Sequence, residues 1–266
     1  MILPALSFLH AGEAEQKARF EAYKAEMKQA PALIRFYTFE EGYGEEVANQ
    51  VNIDPAQRAV TGGPLGSMSI QRYKKNNSVA TLDPKFGPPP TWTQGRWPWK
   101  AALRSGWETS SAPWEVSKLM RTGITGTEFA DGGTLSGWIR ILDTDAEDAA
   151  CSIVKMGSGH GEGFNLTYGK NKWRKDGALG IRICGEREGK KQSVGLEAHP
   201  VAPDVWHHFA VTLDDTHYRL YLDGKLADEK PSAGKIVPVG AENYPLLGPF
   251  HEFDVLPSRF GSYMMI

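Results

Sequence analysis

The chain has 266 residues and a formal net charge of −2, from 30 Lys and Arg against 32 Asp and Glu. That near-neutral balance provides no basic field for nucleic acid or an anionic membrane surface. No run of eighteen apolar residues provides a membrane-spanning helix. With 29 Gly, 17 Pro and 11% aromatic residues, the composition fits many strands joined by turns, and a domain of this length buries roughly 70–75% of its extended surface without staples.

The first nine residues, MILPALSFL, are apolar and resemble the tail of a secretory signal, without the basic segment that normally precedes one. From Gly12 to Gln29, strong helix formers predict a helix, with Glu13/Lys17 and Glu15/Arg19 spaced for ion pairs. Phe20, Tyr23 and Met27 form its apolar stripe, and Pro31 ends it, so residues 1–31 are expected to be a helical extension or linker before a domain at 32–266. Leu33 to Phe39 reads as a strand. Residues 83–99, rich in proline and tryptophan, read as a rigid loop-like excursion.

From Gly133 onward the strand pattern is clear: TLSGWIRI, CSIVKM, GFNLTYG, ALGIRIC, and Val237 to Leu247 before the C-terminal GSYMMI. Trp138 and Trp206 lie within strand signals and are read as core. Cys151 and Cys184 are the two cysteines, on strands separated by a third. In a simple meander that spacing is roughly 9–10 Å, too long for a disulfide, so both are expected to be buried thiols.

Between Trp206 and Lys225 the sequence WHHFAVTLDDTHYRLYLDGK alternates at period two, with Phe209, Val211 and Leu213 on one face and Tyr218, Leu220 and Leu222 on the matching face of the next strand. Asp223-Gly224 suits a type I′ turn into a third strand. His207 and His208 then point to opposite faces and cannot share a metal ion through their side chains. His207 is expected to be a hydrogen-bonded core residue, and Asp214 and Asp215 to form a turn.

The order of these segments resembles the laminin-G-like jelly rolls of the concanavalin A-like lectin/glucanase superfamily. FYTFEEG at 36–42, TQGRWPWKAALRSG at 93–106, TLSGWIRI at 134–141, SIVKMGS at 152–158 and the WHHFAVTLD…YRLYLDGKLA hairpin carry the resemblance, which runs from about Leu33 to the end. It implies an all-β, two-sheet antiparallel jelly-roll sandwich with an N-terminal helix. Members usually continue past the point where GSYMMI stops, so the last strand is expected to be incomplete and the chain to be part of a larger multidomain protein.

The resemblance also implies a binding module recognising glycan or extracellular protein, located outside the cytoplasm. Protein interaction or structural adhesion is the alternative function, and a glucanase-type glycoside hydrolase the lesser one. Glycan recognition uses aromatic faces against the apolar side of a pyranose, with polar groups for its hydroxyls. Trp92, Trp97, Trp99, Trp107 and Trp173 are the candidate ligand-binding residues, with Trp114 in the same loop-rich half; packing of the rim is the competing assignment for each. Calcium is the one cofactor implied, with Asp143, Asp145, Glu147 and Asp148 as candidate oxygen ligands in an acidic loop that lacks EF-hand spacing.

Retaining glucanases need two carboxylates about 5 Å apart on one strand face. Glu252 and Asp254 occupy the first acidic positions of such a motif, but Leu256 and Pro257 stand where the second catalytic carboxylate belongs. No nucleophile elbow, phosphate loop, dinucleotide fingerprint or zinc-hydrolase motif occurs. A non-catalytic function is therefore expected.

Overall fold

The computed structural model describes residues 12–44, 46–51, 59–61, 91–106, 120–121, 129, 131–141, 149–157, 160–171, 174–239, 246–247 and 261–265. Its strands form two antiparallel sheets. In the nine-stranded sheet the order is β1 (Glu46–Val47), β2 (Ala59–Thr61), β5 (Met120–Arg121), β15 (Leu246–Leu247), β7 (Ala149–Met156), β8 (Phe164–Asn171), β9 (Arg174–Arg187) and β10 (Lys190–Ala198), with β14 (Lys235–Ile236) also paired to β9. In the seven-stranded sheet it is β13 (Lys225–Pro231), β12 (His217–Leu222), β11 (Trp206–Leu213), β6 (Gly133–Ile141), β16 (Gly261–Met265), β4 (Ala101–Gly106) and β3 (Thr91–Gln94). The expected all-β sandwich with an N-terminal helix is what forms.

Period-two alternation builds the core between the layers. On β11, His207, Phe209, Val211 and Leu213 are buried while the residues between them are half-buried, and β12 buries Tyr218 and Leu220 in phase with them. Ile139 and Ile141 of β6 join this set from the seven-stranded sheet. Ile153 and Met156 of β7, Leu166 and Tyr168 of β8, and Leu179, Ile181 and Ile183 of β9 supply the other layer. Apolar area removed from water on two facing sheets is the dominant stabilising contribution in such an arrangement.

The β11–β12–β13 hairpins follow the sequence closely. Asp223 and Gly224 have φ values of 50° and 76°, the left-handed pair that a type I′ turn requires. At the first turn the Asp214 carboxylate accepts hydrogen bonds from the backbone N–H groups of Thr216 and His217, at 2.8 and 2.6 Å. Arg219 spans it by pairing with Asp214 at 2.6 Å and with Glu229 of β13. The edge strand β13 is mostly exposed, and its Lys225, Asp228, Glu229, Lys230 and Pro231 discourage edge-to-edge pairing.

Four sequence expectations are corrected. Residues 33–39 form no regular strand: Tyr37 makes one isolated bridge to Asn49, and Asn49 Oδ1 accepts the Phe36 N–H at 3.0 Å. Phe39 has φ 53°, which turns the chain out of extended geometry while its ring is fully buried. Part of the proline-rich excursion is regular, since Thr91–Gln94 pairs with β4. Of the segment Val237 to Leu247, residues 237–239 lie outside any strand and follow the two-residue β14, while Leu246–Leu247 forms β15.

Finally, Trp138 and Trp206 are not core. Each is one residue out of phase with Ile139 or His207, so each lies half-buried on the outward face of the seven-stranded sheet. Both residues lie in strands as the sequence indicates, but strand phase and not ring size sets which face they occupy.

The helix α1 (Glu13–Lys28) carries the expected Glu15–Arg19 pair at 2.5 Å. Phe20 is its buried residue and belongs to the core cluster. Cys184 is a buried free thiol on β9, two strands from Cys151 on β7 in the meander the sequence predicted.

Candidate functional site

His207 and His208 diverge as their spacing requires. His207 is buried, with Nδ1 2.7 Å from Asp223 Oδ2 and Nε2 3.1 Å from the Ala202 carbonyl oxygen. Asp223 Oδ1 also accepts the His208 backbone N–H at 2.8 Å. Burial opposes ionisation of Asp223, but these bonds outweigh it and hold its pKa below the usual carboxylate range. A turn aspartate therefore locks the far end of β11.

Asp223→Ala should cost about 1–2 kcal/mol in urea denaturation near neutral pH, since a charged acceptor is lost from a half-exposed turn. Because the folded pKa is depressed, the stabilisation is present above about pH 4 and fades as pH falls through the lower folded value. The wild-type and variant stability curves should converge in acid; a constant gap from pH 6 down to pH 3 would remove the ionised carboxylate from this account.

On the outward side, a line of aromatic and cationic groups crosses from α1 to the sheet. Phe20 lies 5.5 Å from Trp99, and Trp99 stacks on Trp97 at 4.9 Å with an interplanar angle of 11°. The Arg96 guanidinium follows, 3.9 Å from the Trp97 ring centroid and 3.6 Å from that of Trp138. Trp138 is next to the His208 ring at 5.1 Å. Cross-strand register places His208 opposite Trp138 and Trp206 opposite Arg140, whose guanidinium is 5.6 Å from the Trp206 ring.

The elements explain this arrangement. Trp138 and Arg140 are two residues apart on β6, so one face receives both, and β11 adds Trp206 and His208 by the same alternation. Arg96, Trp97 and Trp99 come from the turn between β3 and β4, closed by Gly95 N–H donating to the Lys100 carbonyl at 2.7 Å. Guanidinium over indole is favourable and more so when water is partly excluded.

Burial lowers the Arg96 pKa to about 10, still far above neutrality. It lowers that of His208 too, with help from Arg96 and against Asp223, so His208 presents a neutral imidazole with one donor and one acceptor. The face thus combines indole surface, guanidinium donors and a neutral hydrogen-bonding ring. Such a set can cover the apolar side of a sugar and bond its hydroxyls.

Of the tryptophans singled out in the sequence, Trp97 and Trp99 are in this row. Trp97 is only 9% exposed, so its ring acts within the stack. Trp92 faces Phe39 at 6.4 Å and donates Nε1–H to the Gly44 carbonyl at 2.8 Å, which fixes the 40–44 segment. Trp107, Trp114 and Trp173 lie outside the described residues, as do Asp143, Asp145, Glu147, Asp148, Glu252 and Asp254. Among the described residues, no group of three or more His, Cys, Asp or Glu side chains could hold a metal ion.

Sequence reasoning missed Arg96 and Arg140 and misplaced Trp138 and Trp206. The signal was there: Trp-x-Arg in β6 puts both side chains on one face, and Arg96 directly precedes the Trp-Pro-Trp turn.

The two sheets define a concanavalin A-like β-sandwich. Residues 121–249, just under half of the chain, match the model of the laminin G type of the concanavalin A-like lectin/glucanases superfamily. The binding domain of botulinum neurotoxin serotype D is similar in structure, with a TM-score of 0.50 and 10% identity over 91% of this chain and 47% of that one. The binding domain of botulinum neurotoxin DC, solved in complex with SialylT, has a TM-score of 0.45 and 13% identity over 75% of this chain and 46% of that one. The chain therefore spans about half the length of these neurotoxin domains, and at 10% identity the likeness to the serotype D domain is one of fold. None of the curated proteins matches it in sequence. Among the described residues, no helix is long and apolar enough to cross a membrane.

Proposed function

We propose that this is a non-catalytic recognition module that binds glycan on the outward face of its seven-stranded sheet. The aromatic–cationic row from Trp99 through Trp97, Arg96 and Trp138 to His208, with Arg140 and Trp206 beside it, carries this reading. Trp138 and Trp206 supply apolar surface on a sheet held rigid by the core beneath it. Arg96, Arg140 and His208 supply directional hydrogen bonding for hydroxyl or carboxylate groups. Incomplete glucanase spacing at 252–257 supports binding without hydrolysis.

The test is a polysaccharide and glycan array, run with calcium and again with chelator, followed by calorimetry on any hit. Trp206→Ala should weaken the interaction about tenfold, the effect of about 1.4 kcal/mol for a lost aromatic platform. Unchanged affinity in Trp206→Ala and Trp138→Ala would remove this face from the reading. A blank array with folded protein would turn the assignment to a protein-interaction module, and sensitivity to chelator alone would direct attention to the acidic 143–148 loop.

A further inference from the structure

One end of the row is occupied by the protein itself. Phe20 of α1 sits 5.5 Å from Trp99 and 6.0 Å from Trp97, with Lys100 Nζ 3.9 Å from its ring centroid and Lys24 Nζ 5.5 Å away. The rest of α1 is held lightly. Phe20 is its buried residue, Tyr23 meets Phe36 edge-on at 5.9 Å, and Lys24 pairs with Glu40 at 3.0 Å. A helix fixed by one buried ring, one edge-on contact of a half-buried tyrosine and a partly exposed ion pair belongs to the low-stability end of the local opening spectrum.

Polar groups in this part of the structure are incompletely satisfied. The Trp99 indole Nε1–H is buried without a protein acceptor, and Glu41 Oε2 is buried without a protein donor. Lys100 is 3% exposed and donates Nζ–H to the Thr38 carbonyl oxygen. An indole pair, an unused N–H and an ammonium group beneath a removable phenyl ring form a site that a ligand bearing an apolar face and hydroxyls can complete.

We propose that α1 is a detachable clasp: Phe20 occupies the Trp97–Trp99 end of the row within the same molecule, so that helix and glycan compete for these two indoles. This rests on the glycan-binding reading for its ligand, but the opening of the clasp does not. With Phe20 in place its ring covers part of Trp99, which is half-buried as Trp138 and Trp206 are. With Phe20 withdrawn, Trp99, Trp97 and Lys100 extend the site.

The experiment compares the full chain with Phe20→Ala and with Lys24→Ala, which breaks the Lys24–Glu40 pair and leaves the ring intact. Two readouts need no ligand: hydrogen exchange of residues 95–103, and the rate at which an amine-acylating reagent modifies Lys100, located by peptide mapping. Lys100 is 3% exposed with Phe20 in place, so its rate of acylation at a fixed mildly alkaline pH reports withdrawal of the ring. Both rates should rise at least tenfold in Phe20→Ala and severalfold in Lys24→Ala, with the two sheets still protected from exchange. Affinity for the glycan found on the array should rise about tenfold in Phe20→Ala.

Unchanged exchange and acylation in both variants would overturn the clasp, whatever the array shows. Faster exchange with unchanged or weaker affinity would show that α1 opens without competing, which overturns the proposal and leaves glycan binding intact. A blank array for wild type and Phe20→Ala alike would overturn the glycan reading and the competition with it, while the exchange data would still decide whether α1 opens.

Discussion

Gly163→Ala is expected to destabilise the protein by at least about 3 kcal/mol, and to shift the urea midpoint accordingly with little change in slope. Gly163 has φ 57°, and a Cβ there would lie 1.7 Å from the Met156 carbonyl oxygen and 2.9 Å from Val239 Cγ1. Neither neighbour can yield cheaply. Met156 is in register with Phe164 at the β7–β8 turn, and the Gly163 N–H donates to the Val237 carbonyl at 2.8 Å while its own carbonyl accepts the Cys184 N–H at 2.8 Å. Relief of the clash must break one of these bonds or move the β7 backbone. Gly195→Ala is the control: an exposed strand glycine whose added Cβ would have the Ile181 carbonyl oxygen at 3.9 Å as its nearest neighbour. That change should be neutral or stabilising by up to about 1 kcal/mol, because it removes only unfolded-state freedom. Equal effects at the two positions would mean that the β7–β8 turn can relax around a side chain.

The stretch from Trp206 to Lys225 was legible because β11 and β12 alternate and its turns use residues with one conformational purpose each. Asp223-Gly224 predicts left-handed geometry, and His207 beside His208 predicts divergence, without knowledge of any partner. What the sequence withheld depends on contacts between distant segments. Phe39 reads as a strand residue, yet tertiary burial holds it at positive φ. Thr91–Gln94 reads as loop because prolines crowd its N-terminal side, yet β4 supplies the pairing that four weakly patterned residues could not announce. Trp138 and Trp206 have a strand phase that points outward, but their bulk favours an inward assignment; phase was the better guide. The row itself was invisible as a unit. Arg96 finds Trp138 only because the β3–β4 turn folds over β6, and no local pattern encodes that crossing.

Phe209→Ala should cost about 4 kcal/mol and lower the melting temperature by about 10 °C. Phe209 is fully buried on the inward face of β11, between Gly137 of β6 and Leu222 of β12 in register. Removing the ring loses its transfer free energy and leaves a cavity between sheets that are paired on both sides and cannot readily collapse. Phe209→Leu retains most of the volume and should cost about 1.5 kcal/mol or less. The two phenylalanines Phe209 and Phe20 belong to one buried cluster, yet they should respond differently. Loss of Phe209 lowers the global stability, so the most protected amides of β6, β8, β9 and β11 should exchange faster together. Loss of Phe20 should accelerate exchange only in α1 and residues 95–103, because α1 rests on the outside of the sandwich and no strand pairing depends on it. If Phe20→Ala instead lowered protection in β8 and β9 as Phe209→Ala does, α1 would be an integral part of the cooperative unit, and its ring a core residue rather than a cover over the Trp97–Trp99 stack.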